Sequence, residues 1–268
     1  MIIDFHTHVF PDKIAARTIE LLSEKSGIAP TTDGTVRGLL SSMERAGIDI
    51  SITLPVLTNP KSFESVNRFA AEINERFSGE GKRLVSFGGI HPACEDIEGK
   101  MSWLKKSGFL GVKIHPDYQG TYIDDLGYEK IMNAAMENDL IVLTHAGVDV
   151  AYPDDVHCTP ERTAALLSRA PHSKLVLAHM GGVELRDRFF ELFLGSEVYF
   201  DTAFVLKNTS SECFTELLRK HGEDKFLFAT DAPWSEEAED VKILKSYGLP
   251  KATLEKLFFK NAIKLLGI

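Results

Sequence analysis

The chain opens on an apolar pair, Ile2 and Ile3, that runs into Asp4-Phe5-His6-Thr7-His8. Residues two apart in a strand point to the same face, so His6 and His8 project together and their imidazoles can hold one ion. Neutral imidazole is a ligand for zinc and related metals. Alone, a His-x-His pair is a weak signal, because structural pairs of this spacing are common. The rest of the chain strengthens it by repeating one design, a short apolar run that ends in His or Asp. His91, Lys113 with His115, His145, His179, Asp201 and Asp231 all stand at or just beyond the end of such a run. Six of the nine histidines occupy these positions, and a random scatter would not collect them there. The other three, His157, His172 and His221, lie in loops or at a helix end, where solvated surface roles are expected.

The elements that must position these groups are legible in the pattern. After the first strand, apolar runs at 48–54, 84–90, 110–114, 140–144, 174–178, 197–200 and 226–229 read as strands. Between and after them, helical spacing appears at 13–26, 35–45, 59–77, 97–106, 126–137, 160–169, 212–221, 236–247 and 251–266. Leu39, Leu40 and Met43 share one helical face that Gly47 stops, and Phe63, Val66, Phe69, Ala70 and Ile73 share another. Residues 117–120 and the polar stretch that follows His145 to about 159 read as loops. Continuous apolar strands are those of a parallel sheet buried on both faces. Eight βα units in 268 residues predict an α/β fold of the (β/α)8 barrel type, a single domain over 1–268. No G-x-G-x-x-G follows the first strand, which weakens a dinucleotide-binding alternative. Barrels of this kind carry their active sites at the C-terminal ends of the strands, which is where the histidines and aspartates fall.

Composition narrows the function classes. Thirty Lys and Arg against 39 Asp and Glu give a net charge of −9, without the electrostatic footprint of a nucleic-acid or anionic-membrane binder. Cys94, Cys158 and Cys213 are odd in number and far apart, so neither a disulfide framework nor a zinc finger is expected. Reduced thiols, no signal segment before the first strand and no run of 18 apolar residues predict a cytoplasmic protein. No G-x-S-x-G is present, and the adjacency of His157 and Cys158 does not align a base with a nucleophile.

His6-x-His8 on the first strand, His145, His179 and Asp231 at later strand ends together resemble the amidohydrolase superfamily. The stretches Gly111-Val112-Lys113-Ile114-His115-Pro116, Thr144-His145-Ala146-Gly147, Phe228-Ala229-Thr230-Asp231-Ala232-Pro233 and Asn261-Ala262 are similar to its amidohydrolase 2 branch, which includes aminocarboxymuconate-semialdehyde decarboxylase-like enzymes. The likeness spans the whole chain and is specific for superfamily rather than for substrate. It implies that His6, His8, His145 and Asp231 bind one divalent metal, zinc in the first instance and manganese as the alternative. The predicted barrel agrees, since two side chains of one strand and one each from the fifth and eighth converge on a point inside the rim. Such a set leaves room for a water or a substrate oxygen. Asp231 would also take the water's proton, and His179 beside the metal would orient or protonate the substrate. Binuclear members carry a carbamylated lysine on the fourth strand, so Lys113 leaves a second metal open. The single-metal habit of this branch favours Lys113 as a cation for a substrate carboxylate, with His115 as a further substrate contact.

The expected activity is therefore metal-dependent hydrolysis of a small ester, lactone or amide, with non-oxidative decarboxylation of a small carboxylated substrate as the alternative. A non-catalytic barrel keeping its metal for ligand binding or structure competes from another class, but an open ligand set flanked by extra titratable groups argues against it. Asp4 and Asp201 are read as partners that hold backbone amides or orient a histidine. The expected partner is a small molecule, and a homodimer is left open.

Overall fold

Short β-branched runs alternating with amphipathic helices leave the chain one economical way to bury both strand faces, which is to wrap a parallel sheet in helices. The computed structural model describes residues 1–268 apart from Glu80, Lys82 and Val183. Its elements in order are β1 (Ile3–Thr7), α1 (Asp12–Ser26), α2 (Val36–Ala46), β2 (Ile50–Thr53), α3 (Phe63–Arg76), β3 (Leu84–Ser86), β4 (Gly88–Gly89), α4 (Ile97–Lys106) and β5 (Gly111–Ile114). There follow α5 (Pro116–Gln119), α6 (Leu126–Glu137), β6 (Ile141–Thr144), α7 (Pro160–Arg169), β7 (Leu175–Leu177), α8 (Arg186–Phe193), β8 (Tyr199–Asp201), α9 (Ser211–His221), β9 (Phe226–Leu227), α10 (Glu237–Ser246), α11 (Lys251–Glu255) and α12 (Asn261–Leu266).

All strand pairs are parallel, in the orders β1-β2-β3 and β4-β5-β6-β7-β8-β9. β3 and β4 are one barrel strand interrupted at Phe87, whose amide still donates to Thr53 O at 3.0 Å. The seam between the last and first strands is carried by three amides. Phe5 donates to Phe228 O at 2.9 Å, Asp231 to His6 O at 2.8 Å and His8 to Ala232 O at 2.7 Å, with a parallel bridge between Thr7 and Ala232. The result is the predicted (β/α)8 barrel.

Strand alternation divides the core in two. Ile3, Phe5, Ile52, Val85, Ile141, Leu143, Val176 and Leu227 fill the interior, closed below by Leu265 and Leu266 of α12. Val112, Ile114, Val142, Leu175, Leu177, Phe200 and Phe226 face outward onto Leu39, Met43, Leu104, Ile131, Leu166 and Phe214 of the helices. The helices begin where their capping residues allow: Thr35, Asp125, Thr159 and Ser210 each accept an amide of the first turn.

Local departures from the predicted elements are few. Residues 116–119 form a one-turn helix rather than loop, started by Pro116. α8 lies in a stretch with no predicted element; its buried Phe189, Phe190 and Phe193 supply the helical face. The last helix is broken by a π-type turn at Lys256–Lys260. His157, His172 and His221 are buried rather than solvated. Each has an internal acceptor or donor that makes burial affordable: Leu140 O for His172 Nε2 at 2.9 Å, Val198 O for His221 Nε2 at 2.8 Å, and Asp155 O for His157 Nδ1 at 3.0 Å.

Candidate active site

The register of β1 on β2 slips between Asp4 and Thr7. A regular strand would send Phe5 and His6 to opposite faces, but an irregularity of this kind re-aims the side chains that follow it. Ile3 and Phe5 fill the barrel interior, and His6 and His8 also turn inward, at its mouth. Asp4 faces the other way and holds the slip in place. Its carboxylate accepts the amides of His6 (3.1 Å) and Thr230 (3.0 Å) and the Thr230 hydroxyl (2.5 Å).

Three imidazoles are pinned at Nδ1 by groups that can only accept. His6 Nδ1 lies 2.9 Å from Asp201 Oδ2, His8 Nδ1 2.8 Å from Leu54 O and His179 Nδ1 2.9 Å from Ala203 O. A neutral ring held in this way carries its proton on Nδ1 and a lone pair on Nε2. The Nε2 atoms of His6 and His8 nonetheless face each other at 3.1 Å, and Asp231 Oδ1 stands 3.4 Å from the first and 3.2 Å from the second. Burial, and then the Lys113 charge, holds His6 well below the usual imidazole range, so an imidazolium proton does not fill the gap. Three acceptors turned on one point fit a cation. Their separations match the edge of a tetrahedron, about 3.3 Å, drawn around an ion with ligands at about 2.0 Å.

Two of the residues around this point are held in a backbone conformation that L-amino acids avoid. Asp231 has φ 71° and His179 φ 58°, followed by Met180 at φ 50°. Such residues cost on the order of 1–3 kcal/mol each and persist only where the surroundings over-determine them. Here Asp201 Oδ1 takes the His179 amide at 2.8 Å and the Ala203 amide at 3.1 Å. Gly147 lets the β6 and β7 loops touch, since a Cβ there would overlap the Gly181 carbonyl.

Lys113, on β5, is 1% exposed and its Nζ lies 3.3 Å from His6 Nε2. Burial lowers its pKa to about 8, against the pull of Asp201, Asp231 and Asp149. It forms no ion pair with a carboxylate among the described residues, its polar neighbour there being His6 Nε2.

His145 sits in an adjoining group. Its Nδ1 is 3.1 Å from His179 Nε2, and its ring stacks on His115 at 4.3 Å with 9° between planes. Since His179 offers a lone pair there, His145 donates from Nδ1, and its buried Nε2 has no hydrogen-bond partner among the described residues. That atom looks toward Asp149 Oδ2 at 3.9 Å and Asp117 Oδ2 at 4.0 Å. His115 Nε2 is 3.4 Å from the same Asp149 oxygen, while its Nδ1 takes the Tyr118 amide at 3.5 Å. His115, His145 and Asp149 form a second set of converging donors. The parallel stack, however, cannot aim both ring lone pairs at one ion. Burial holds His115 and His145 well below the usual imidazole range and raises Asp117.

Of the residues singled out in the sequence, His6, His8 and Asp231 are thus brought into one group, with Lys113 and His179 against it. His145 and His115 stand one ring away. His91 is not part of the cluster: its Nδ1 takes the Ala93 amide at 3.0 Å, shaping its own loop. Asp117 and Asp149 were not anticipated. Both lie in stretches read as loops, where spacing carries no information about which side chains turn inward. The only sequence signal is their nearness to His115 and His145.

The amidohydrolase family profile matches residues 3–268. No curated protein matches the chain. Among solved structures, the fold resembles an uncharacterized TIM-barrel protein from Bordetella bronchiseptica (TM-score 0.79, 18% identity, covering 99% of this chain and 98% of that one). It also resembles a dihydroxybenzoic acid decarboxylase from Polaromonas, solved with manganese and 2-nitroresorcinol (TM-score 0.73, 14% identity, 99% and 96% covered). A third is 5-carboxyvanillate decarboxylase from Sphingomonas paucimobilis (TM-score 0.71, 14% identity, 100% and 99% covered).

Proposed function

The chain belongs to the amidohydrolase family, and we propose that it is a metal-dependent enzyme that removes CO2 from a small carboxylated organic substrate at the barrel mouth. The observation that carries this reading is Lys113. A buried cation without a carboxylate partner among the described residues is costly unless something anionic completes it. Its Nζ, 3.3 Å from His6 Nε2, places that anionic group beside the ligand cluster. The decarboxylases among the similar structures support the same choice.

His6, His8 and Asp231 would hold the ion, which zinc or manganese suits; His145, the fourth ligand the family resemblance implies, has its Nδ1 on His179 Nε2 and its Nε2 toward Asp149, so its ring would have to turn to join them. When bound, a divalent cation there supplies Lewis acidity that polarises a substrate oxygen. Lys113 binds the anionic group, and His115 walls the same side. As the bond from carbon to the carboxylate breaks, CO2 leaves and its electron pair stays on carbon. Asp231 takes a proton from a solvent water and delivers it to that carbon, the hydroxide left behind combining with the released CO2 as bicarbonate, and His179 orients the substrate against it.

Hydrolysis of an ester, lactone or amide is the second reading. It is favoured by Asp231 Oδ1, which is close enough to both ring nitrogens to take a proton from a water placed among them. The test is to load the protein separately with manganese and with zinc and supply 2,6-dihydroxybenzoate, 5-carboxyvanillate and a panel of lactones, esters and amides. Decarboxylation releases CO2 and, in D2O, leaves one deuterium on the product carbon. Turnover of a lactone, ester or amide with no CO2 from any carboxylate would replace the first reading with the second.

A further inference from the structure

Asp201 ends β8 with its carboxylate wholly inside the protein and every contact directed at the site. Oδ2 faces His6 Nδ1 at 2.9 Å, while Oδ1 takes the amides of His179 at 2.8 Å and Ala203 at 3.1 Å. One side chain thus touches an imidazole on β1 and the backbone of the left-handed turn after β7. We propose that Asp201 is a positioning residue that sets two histidines at once: it holds His6 in the tautomer whose Nε2 lone pair faces His8 and Asp231, and it holds the turn that presents His179. The metal part of this inference rests on the proposed ligand role of His6, whereas the tautomer part does not.

The two oxygens have different duties, so two substitutions have different consequences. In Asp201→Asn the amide oxygen must stay on the two backbone N–H groups, because both are donors. The amide NH2 then points at His6 Nδ1. Donor facing donor drives the His6 proton from Nδ1 to Nε2, where it blocks the ligand atom. Asp201→Ala removes the acceptor without adding a donor, so His6 keeps access to both tautomers, but the His179 turn loses its anchor. The more conservative replacement should therefore harm metal binding more, the reverse of what a simple loss of packing or charge would produce.

The experiment is done on the full chain freed of metal. Nitrogen-15 correlation spectra of the histidine rings report which nitrogen of His6 is protonated, with His6→Gln used for assignment. Cobalt titration against a competing chelator, followed by the visible absorption of the bound ion, reports affinity. The expected result is an Nδ1–H tautomer for His6 in the unsubstituted protein and an Nε2–H tautomer in Asp201→Asn. Cobalt affinity should fall about 10–100-fold in Asp201→Ala, the usual scale for loss of a ligand's outer partner, and further in Asp201→Asn. An Nε2–H tautomer in the unsubstituted protein overturns the inference even if neither variant folds. Equal affinities for Asp201→Asn and the unsubstituted protein also overturn it. If the unsubstituted protein takes up no cobalt, the metal reading fails, and the tautomers alone decide the positioning role.

Discussion

Glu237 begins α10, which packs against α2 behind the site, and it is 0% exposed. Among the described residues neither of its carboxyl oxygens has a hydrogen-bond partner, and neither does the nearby Ser42 hydroxyl. Burial raises its pKa from 4.5 to about 7; the Glu236 and Asp240 charges add to this, while the Arg45 charge opposes it. Because the folded-state value lies above the unfolded one, the native protein binds more protons than the unfolded chain between these pH values. Stability must then fall as pH rises from about 4.5 through about 7. A shift of about 2.5 units at about 1.36 kcal/mol each corresponds to about 3 kcal/mol lost above neutrality, shared between Glu237 and the buried Asp4, whose carboxyl the Glu237 charge also pushes up. Glu237→Gln keeps the shape and abolishes the titration. Urea unfolding of the metal-free protein should show the variant close to the original at pH 4.5 and more stable by about 3 kcal/mol at pH 8. At 2–4 °C per kcal/mol, that is a rise in Tm of about 6 °C or more. An identical difference between the two proteins at both pH values would refute the reasoning, since a packing effect carries no pH dependence.

The remaining predictions concern the site. Elemental analysis should find about one divalent ion per chain, and His8→Ala should lose it while circular dichroism stays that of a folded barrel; unfolding on chelation would make the metal structural. Two ions per chain with a modified Lys113 would instead point to a carbamate-bridged centre. Lys113→Met should raise KM for a carboxylated substrate with little change in kcat, as expected when uniform binding is lost, and an unchanged KM would remove the lysine from substrate binding. Asp231→Asn should retain part of the metal and lose about 10²–10⁴-fold in turnover, the usual scale of general acid–base catalysis. Full metal content with near-normal turnover would move the proton-transfer role to His179.

The features legible in the amino-acid sequence are those that depend on near neighbours. Apolar runs such as 140–144 and 174–178 mark strands because each must be buried on both faces, and eight of them alternating with helices leave a barrel as the outcome. The residue just past such a run stands at the rim whatever the rest of the chain does, so His145, His179 and Asp231 could be placed there from their spacing. The family was legible for the same reason, as its motifs are strand-end motifs. α8 had a readable signal in Phe189, Phe190 and Phe193, but it is short and follows the Gly181-Gly182 break. Other features rest on groups far apart in sequence. The slip that turns His6 inward is held by Asp4 and Thr230, 226 residues apart. The tautomer of His6 rests on Asp201, 195 residues away. The burial of His157, His172 and His221 depends on acceptors that spacing cannot supply. His145 shows the boundary most clearly. Its strand end was evident from its neighbours, but the direction of its ring depends on His179, His115, Asp117 and Asp149, from two other segments and its own loop. A side chain's height on a barrel is a property of its strand, whereas its aim is a property of whatever the closed barrel sets opposite it.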